Sequence, residues 1–139
     1  MKNHDDLARA WWRKGESDLT NARMCLAANQ VLDTACFHAQ QAAEKYLKAY
    51  MTFGKMESPF IHNLGKLVEL CAAHDPSFTI IKESAQSLTP FAIEARYDES
   101  FWPDTGTARK AICGAEQIRQ FIADRLPTCF HLGAGSNFP

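Results

Sequence analysis

The stretch from Cys36 to Tyr50 sets an imidazole, an amide and two ammonium groups along one side of a helix. His38, Gln41, Lys45 and Lys48 follow one another at i, i+3, i+7 and i+10, which at about 100° per residue makes a single stripe. Such a stripe can neutralise and hydrogen-bond a phosphate, or pair with a partner's carboxylates. Cys36, Ala39, Ala43, Tyr46, Leu47, Tyr50 and Phe53 form the apolar face opposite. Charge opposite an apolar face is also what an ordinary solvated helix shows. Two neighbours argue for more than solvation. Phe37 projects toward the polar side, and Glu44 precedes Lys48 by four residues, where the two can pair.

A second set of chemical groups lies in Arg96-Tyr97-Asp98-Glu99-Ser100-Phe101-Trp102-Pro103. Arginine offers a planar fork for phosphate or carboxylate, and tyrosine or tryptophan offers a stacking face. The structural alternative is that Tyr97, Phe101 and Trp102 seal one end of the fold while Arg96 pairs with Asp98 or Glu94. Asp98 and Glu99 would repel a bare phosphate unless a divalent cation intervened. His4 and His74 read as surface or turn residues, and His62 as a helix cap. Gly54, Gly65 and Gly106 are isolated, so there is no glycine-rich phosphate loop. No nucleophile–histidine arrangement follows from spacing, and no repeated Glu-x-x-His pair suggests a di-iron bundle.

Helical periodicity supplies the elements that must position these groups, with no alternating strand pattern. The first helix is expected over about Asp5 to Ala28, burying Leu7, Trp11, Gly15, Leu19, Ala22 and Leu26, with Trp12 beside them. A short turn at Asn29–Asp33 leads into the second helix, which ends near Phe53 before Gly54, Ser58 and Pro59. A short helix carrying Leu64, Leu67, Val68 and Cys71 is capped by His62 or Asn63. His74-Asp75-Pro76-Ser77 is a stop and a new start. The region from Phe78 to Ala95 presents Ile81, Leu88, Phe91, Ala92 and Ala95, and Pro90 kinks or splits it. Arg96 to Asp104 reads as a loop. The last helix starts at Thr105 or Thr107, uses Ala108, Ala111, Ile112, Ala115, Ile118 and Ile122, and ends before Pro127. Short connections imply an all-α, antiparallel up-and-down bundle of four main helices plus a short extra one. Residues 1–130 are expected to form one domain and 131–139 a flexible tail.

With 46% apolar and 22% charged residues over 139 positions, the chain reads as one soluble domain. Its net charge of −1 argues against a sequence-independent nucleic-acid coat, though not against a local basic site. No run approaches a membrane span and no apolar signal core opens the chain, so a cytoplasmic location is expected. Five cysteines without a CxxC give no zinc or disulfide framework. Cys25, Cys36, Cys71 and Cys113 fall on or beside apolar helical positions, and Cys129 near the end is exposed.

Several segments in order resemble a HEPN domain (higher eukaryotes and prokaryotes nucleotide-binding). They are Ala10-Trp11 with Asp18-Leu19 and Ala22; then Phe37-His38-Ala39-Gln40-Gln41-Ala42-Ala43-Glu44-Lys45-Tyr46-Leu47-Lys48-Ala49; then His62-Asn63-Leu64 with Leu67; and Ala95-Arg96-Tyr97-Asp98. The resemblance implies a helical bundle that commonly forms homodimers and pairs with a small nucleotidyltransferase, often in a prokaryotic toxin–antitoxin operon. It also implies, for many members, metal-independent ribonuclease activity through an Arg-x(4–6)-His motif. Arg96 sits in the expected region, but residues 100 to 103 contain no histidine; the literal match is Arg125 with His131. The sequence therefore leads to a protein that binds a nucleotide such as ATP or GTP, a nucleotidyltransferase, or both, through His38, Gln41, Lys45, Lys48, Arg96 and Tyr97. No metal or obligatory cofactor is expected. The alternatives are an RNA-cleaving toxin using Arg125 and His131, and a non-catalytic dimeric adaptor.

Overall fold

The computed structural model describes residues 3–130, and in these the chain is an all-helical bundle. Helix α1 spans His4–Ala28, α2 Leu32–Phe53, α3 Leu64–Ala72, α4 Lys82–Leu88, α5 Phe91–Tyr97 and α6 Thr105–Ala123, with a 3-10 turn over Pro76–Ile81 before α4. The expected helix starts rest on side-chain caps. Asn3 accepts from Asp6 N, Asn63 from Lys66 N, Asp75 from Ser77 N and Asp104 from Thr107 N. Asn63, not His62, is thus the cap of α3. Pro90 splits the fourth helical region into α4 and α5, because a proline ring cannot donate to the preceding turn. The split lets α5 run on to Tyr97, so Arg96 is helical instead of lying in a loop. The tail from His131 onward lies outside the described residues.

Helix α2 is the centre of the molecule. It packs against α1, α6 and α5, and its buried residues run around its circumference: Ala35, Cys36, Ala39, Gln40, Ala42, Ala43, Glu44, Tyr46, Leu47, Lys48, Ala49 and Met51. The two-faced helix expected from periodicity is therefore corrected. A helix surrounded by three neighbours must bury part of its polar side too. Helix α1 is rotated from its expected position. Ala8, Trp12, Gly15, Leu19 and Ala22 are buried, whereas Leu7 is exposed and Trp11 and Leu26 are half-buried. Gly15 permits this packing: a Cβ there would lie 2.9 Å from Tyr46 Cε1 and 3.3 Å from the Ala42 carbonyl oxygen. Cys36 and Cys71 are buried, and desolvation pushes their thiols up to about 11 and about 12. Cys113 is exposed, contrary to its expected apolar position; Cys129 is exposed as expected.

The α1–α2 turn contains two left-handed residues, Asn29 (φ 53°) and Val31 (φ 48°). Asn29 tolerates this conformation, but a β-branched residue does not. Val31 is also largely exposed, so little packing is lost on replacing it. Val31→Asn is expected to stabilise the protein by about 1 kcal/mol through relief of left-handed strain, read as a rise in the urea midpoint. An unchanged or lower midpoint would contradict the strain.

Candidate functional site

Three carboxylates surround α2, two of them meeting the stripe, and each takes more than one donor. Asp18, half-buried on α1, accepts from His38 Nδ1 at 2.8 Å and from the Lys45 ammonium. One turn further along α2, Glu44 takes Lys48 Nζ at 3.1 Å and His62 Nδ1 at 2.8 Å, with Gln40 Nε2 at 3.3 Å. Glu44 and Lys48 are almost fully enclosed, at 5% and 7% side-chain exposure. Lys48 Nζ lies 5.3 Å from the Trp11 ring centroid and 5.8 Å from that of Phe60, an arrangement that suits a desolvated ammonium. Gln40 also donates to the His62 carbonyl, and Gln41 donates to Gln40 at 2.7 Å. On the α6 side, Glu16 accepts from Tyr46 Oη at 2.7 Å and from Arg119 Nε and Nη2 at 2.5 and 3.1 Å.

The stripe is thus assembled as one continuous polar seam, but its charges are already answered from within. His38 and Lys45 converge on Asp18, and Lys48 is spent on Glu44. Asp18, Glu44, Gln40 and His62 are not among the candidates that the sequence suggests. Glu44 has a signal in its spacing from Lys48; Asp18 has no such local spacing, because its partners lie 20 and 27 residues away. Burial alone would raise the carboxyl of Asp18, yet hydrogen bonds from His38 and Lys45 and their charges outweigh it and hold it below the usual range. Glu16 follows the same balance: burial raises it, and Arg119, Tyr46 and Arg23 bring it lower. Tyr46 is pushed well above the ordinary phenol range by burial and by the Glu16 charge.

These two depressed carboxyls fix the sign of an acid response. A group whose folded pKa is lowered contributes its full stability above the ordinary carboxyl range of about 4 and loses it as pH falls through the folded value. Stability from Asp18 and Glu16 is therefore expected to be flat from neutral pH to about pH 5 and to fall on further acidification. Urea midpoints across that range should show a shallower fall in Asp18→Asn and Glu16→Gln. Equal slopes in all three proteins would show that neither group is linked to folding.

Arg96 is arranged differently from the stripe. Its guanidinium carbon lies 5.2 Å from the Phe37 ring centroid and 4.9 Å from that of Tyr97, and Nη2 donates to Tyr97 Oη at 2.8 Å. Among the described residues no carboxylate lies within 4.0 Å of it, so the expected pairing with Asp98 or Glu94 is not formed. Asp98 is instead used locally by Ser100 N and Oγ. Phe101 packs on Phe91, but Tyr97 and Trp102 are 69% and 76% exposed and do not seal the bundle end. Phe37 connects the two sets, since its ring touches both Arg96 and His38. A planar cation beside two rings, exposed and without a carboxylate, is a ready receptor for a carboxylate or phosphate.

Arg125 is occupied structurally. Its guanidinium stacks 3.4 Å from the Phe121 centroid, Nη1 donates to the Phe121 carbonyl, Nη2 to Ser77 Oγ at 3.0 Å, and Nε reaches Asp75 at 3.4 Å. It fastens the end of α6 to the 3-10 turn. His131 lies outside the described residues. No group of three or more His, Cys, Asp or Glu side chains among the described residues could hold a metal ion, and no described helix is long and apolar enough to cross a membrane.

The profile of the HEPN domain matches residues 8–126. The fold is similar to TT1696 from Thermus thermophilus, at 26% identity and a TM-score of 0.70, covering 86% of this chain and 98% of that one. It is also similar to ST0689, an archaeal HEPN homologue, at 23% identity and a TM-score of 0.67, covering 90% and 98% of the two chains. A search of curated proteins finds no match.

Proposed function

This chain belongs to the HEPN domain family, and on that premise we propose that it is a non-catalytic binding module for a small nucleotidyltransferase, engaged at the Arg96–Tyr97 edge. One observation carries this reading. The stripe cations are consumed internally by Asp18 and Glu44, while Arg96 lies against the Phe37 and Tyr97 rings, exposed and without a carboxylate. Exposed Ile93, Tyr97 and Trp102 accompany it, and apolar surface beside a free guanidinium suits a protein interface. The structural use of Arg125 supports binding over RNA cleavage, because a catalytic group must be free to reach its proton or phosphate. A homodimer and a toxin–antitoxin setting fit the same reading.

The test is retention of a small nucleotidyltransferase co-expressed with the chain. Wild type should retain it, and Arg96→Glu should lose it while keeping its helical circular dichroism. Absence of association with wild type overturns the reading. A second reading, an ATP or GTP site, is favoured by the geometry of Arg96 beside an exposed tyrosine ring, which pairs phosphate neutralisation with base stacking. Calorimetric titration with each nucleotide should then give heat that Arg96→Ala removes. Equal or absent heat in both proteins sinks that version.

A further inference from the structure

We infer that the face of α2 between α1 and α5 docks an amphipathic helix of a partner protein, one with carboxylates on both sides of an apolar seam. This rests on reading the chain as a binding module and specifies what the module takes.

The floor of this face is electrically closed. Lys45 is answered by Asp18 and Lys48 by Glu44, and the half-buried Gln41, one turn before Lys45, is bonded to Gln40. Its two edges are not closed. On α1, Trp11 touches Lys48 and Asp18 touches Lys45, so Lys14, one turn from each, lies on the same side of the helix. On the opposite edge stands Arg96 of α5. Among the described residues neither Lys14 nor Arg96 has a carboxylate within 4.0 Å.

Apolar groups line the Arg96 edge. Ile93, one turn before Arg96, and Tyr97 are 67% and 69% exposed on α5, while Phe60, 92% exposed, covers Lys48 on the floor. A neutral polar floor, an apolar margin and unpaired cations at both edges, Lys14 with its neighbour Arg13 on one and Arg96 on the other, match a helix with an apolar stripe and acidic flanks. They match a nucleic acid poorly. A few separated cations neutralise little of a phosphate backbone.

The test uses a fluorescein-labelled peptide of about five helical turns, with leucine at the a and d positions and glutamate flanking them. A sister peptide carries lysine in place of glutamate, and a short single-stranded RNA serves as the third probe. Fluorescence anisotropy should show that the glutamate peptide binds and the lysine peptide does not. Lys14→Glu and Arg96→Glu should each weaken binding about tenfold, the expected loss of one charged contact, while both variants keep wild-type circular dichroism. Equal binding of both peptides, binding of RNA alone, or no loss in either variant overturns the inference. So does a wild-type dimer in sedimentation that the same two reversals dissociate, because a second copy would then occupy the face. If the peptide fails while nucleotidyltransferase retention still depends on Arg96, this inference falls and the broader reading stands. If both fail, both fall.

Discussion

Glu44→Ala is expected to destabilise the protein by about 3–5 kcal/mol, the usual cost of stranding a buried charge. Glu44 and Lys48 are nearly enclosed, and Glu44 also receives His62 and Gln40. Removing it leaves an ammonium between Trp11 and Phe60 with no anion to face. Lys48→Met should be destabilising for the mirrored reason. The double replacement Glu44→Leu/Lys48→Met should recover most of the loss, because neither charge then remains to be desolvated. Urea denaturation of the four proteins measures the cycle. If the double variant equals the sum of the singles, the pair does not act as a unit.

Trp12→Ala is expected to cost about 3–5 kcal/mol, as for other large aromatic side chains removed from a core. Trp12 is fully buried against Tyr46 at 4.8 Å between ring centroids, with Arg119 over its face at 5.2 Å. Its neighbour gives the contrast. Trp11 is half-buried and mainly covers Lys48, so Trp11→Ala should cost about 1 kcal/mol, near the value of a cation–aromatic contact. Thermal or urea unfolding of the two variants separates them. Equal losses would mean that the packing of α1 has been assigned to the wrong face.

That pair of tryptophans shows how far periodicity reaches. It locates α1 and its buried Gly15, Leu19 and Ala22, yet it cannot choose between adjacent rings, because one residue is only about 100° of rotation. The choice is made by Tyr46, which occupies the space left by Gly15. The stripe on α2 is legible as a line of chemical groups, and so is its pairing of Glu44 with Lys48. Its partner Asp18 is not legible as one, since nothing local links residue 18 to residues 38 and 45. Arg96 shows the reverse situation. Sequence neighbours offer it two carboxylates, but the helix that continues to Tyr97 instead aligns it with Phe37. Pro90 can be seen to interrupt a helix; that Thr89 and Pro90 keep right-handed helical backbone between α4 and α5, and that α5 packs along α2, cannot.

The tight turn at Asn29–Val31 has a consequence for the order of assembly. It joins α1 and α2, which share the most extensive contact in the bundle. The largest interface is therefore also one of the most local in sequence, and loop closure there carries little entropic penalty. This helical hairpin is expected to form the folding nucleus, with α6 docking afterwards. In stopped-flow kinetics, truncation of Leu19 on α1 should then slow folding, while truncation of Ile118 on α6 should mainly speed unfolding. The reverse pattern would place the nucleus elsewhere. A chain that closes its central polar seam first would present a finished α2 face before its last helix arrives.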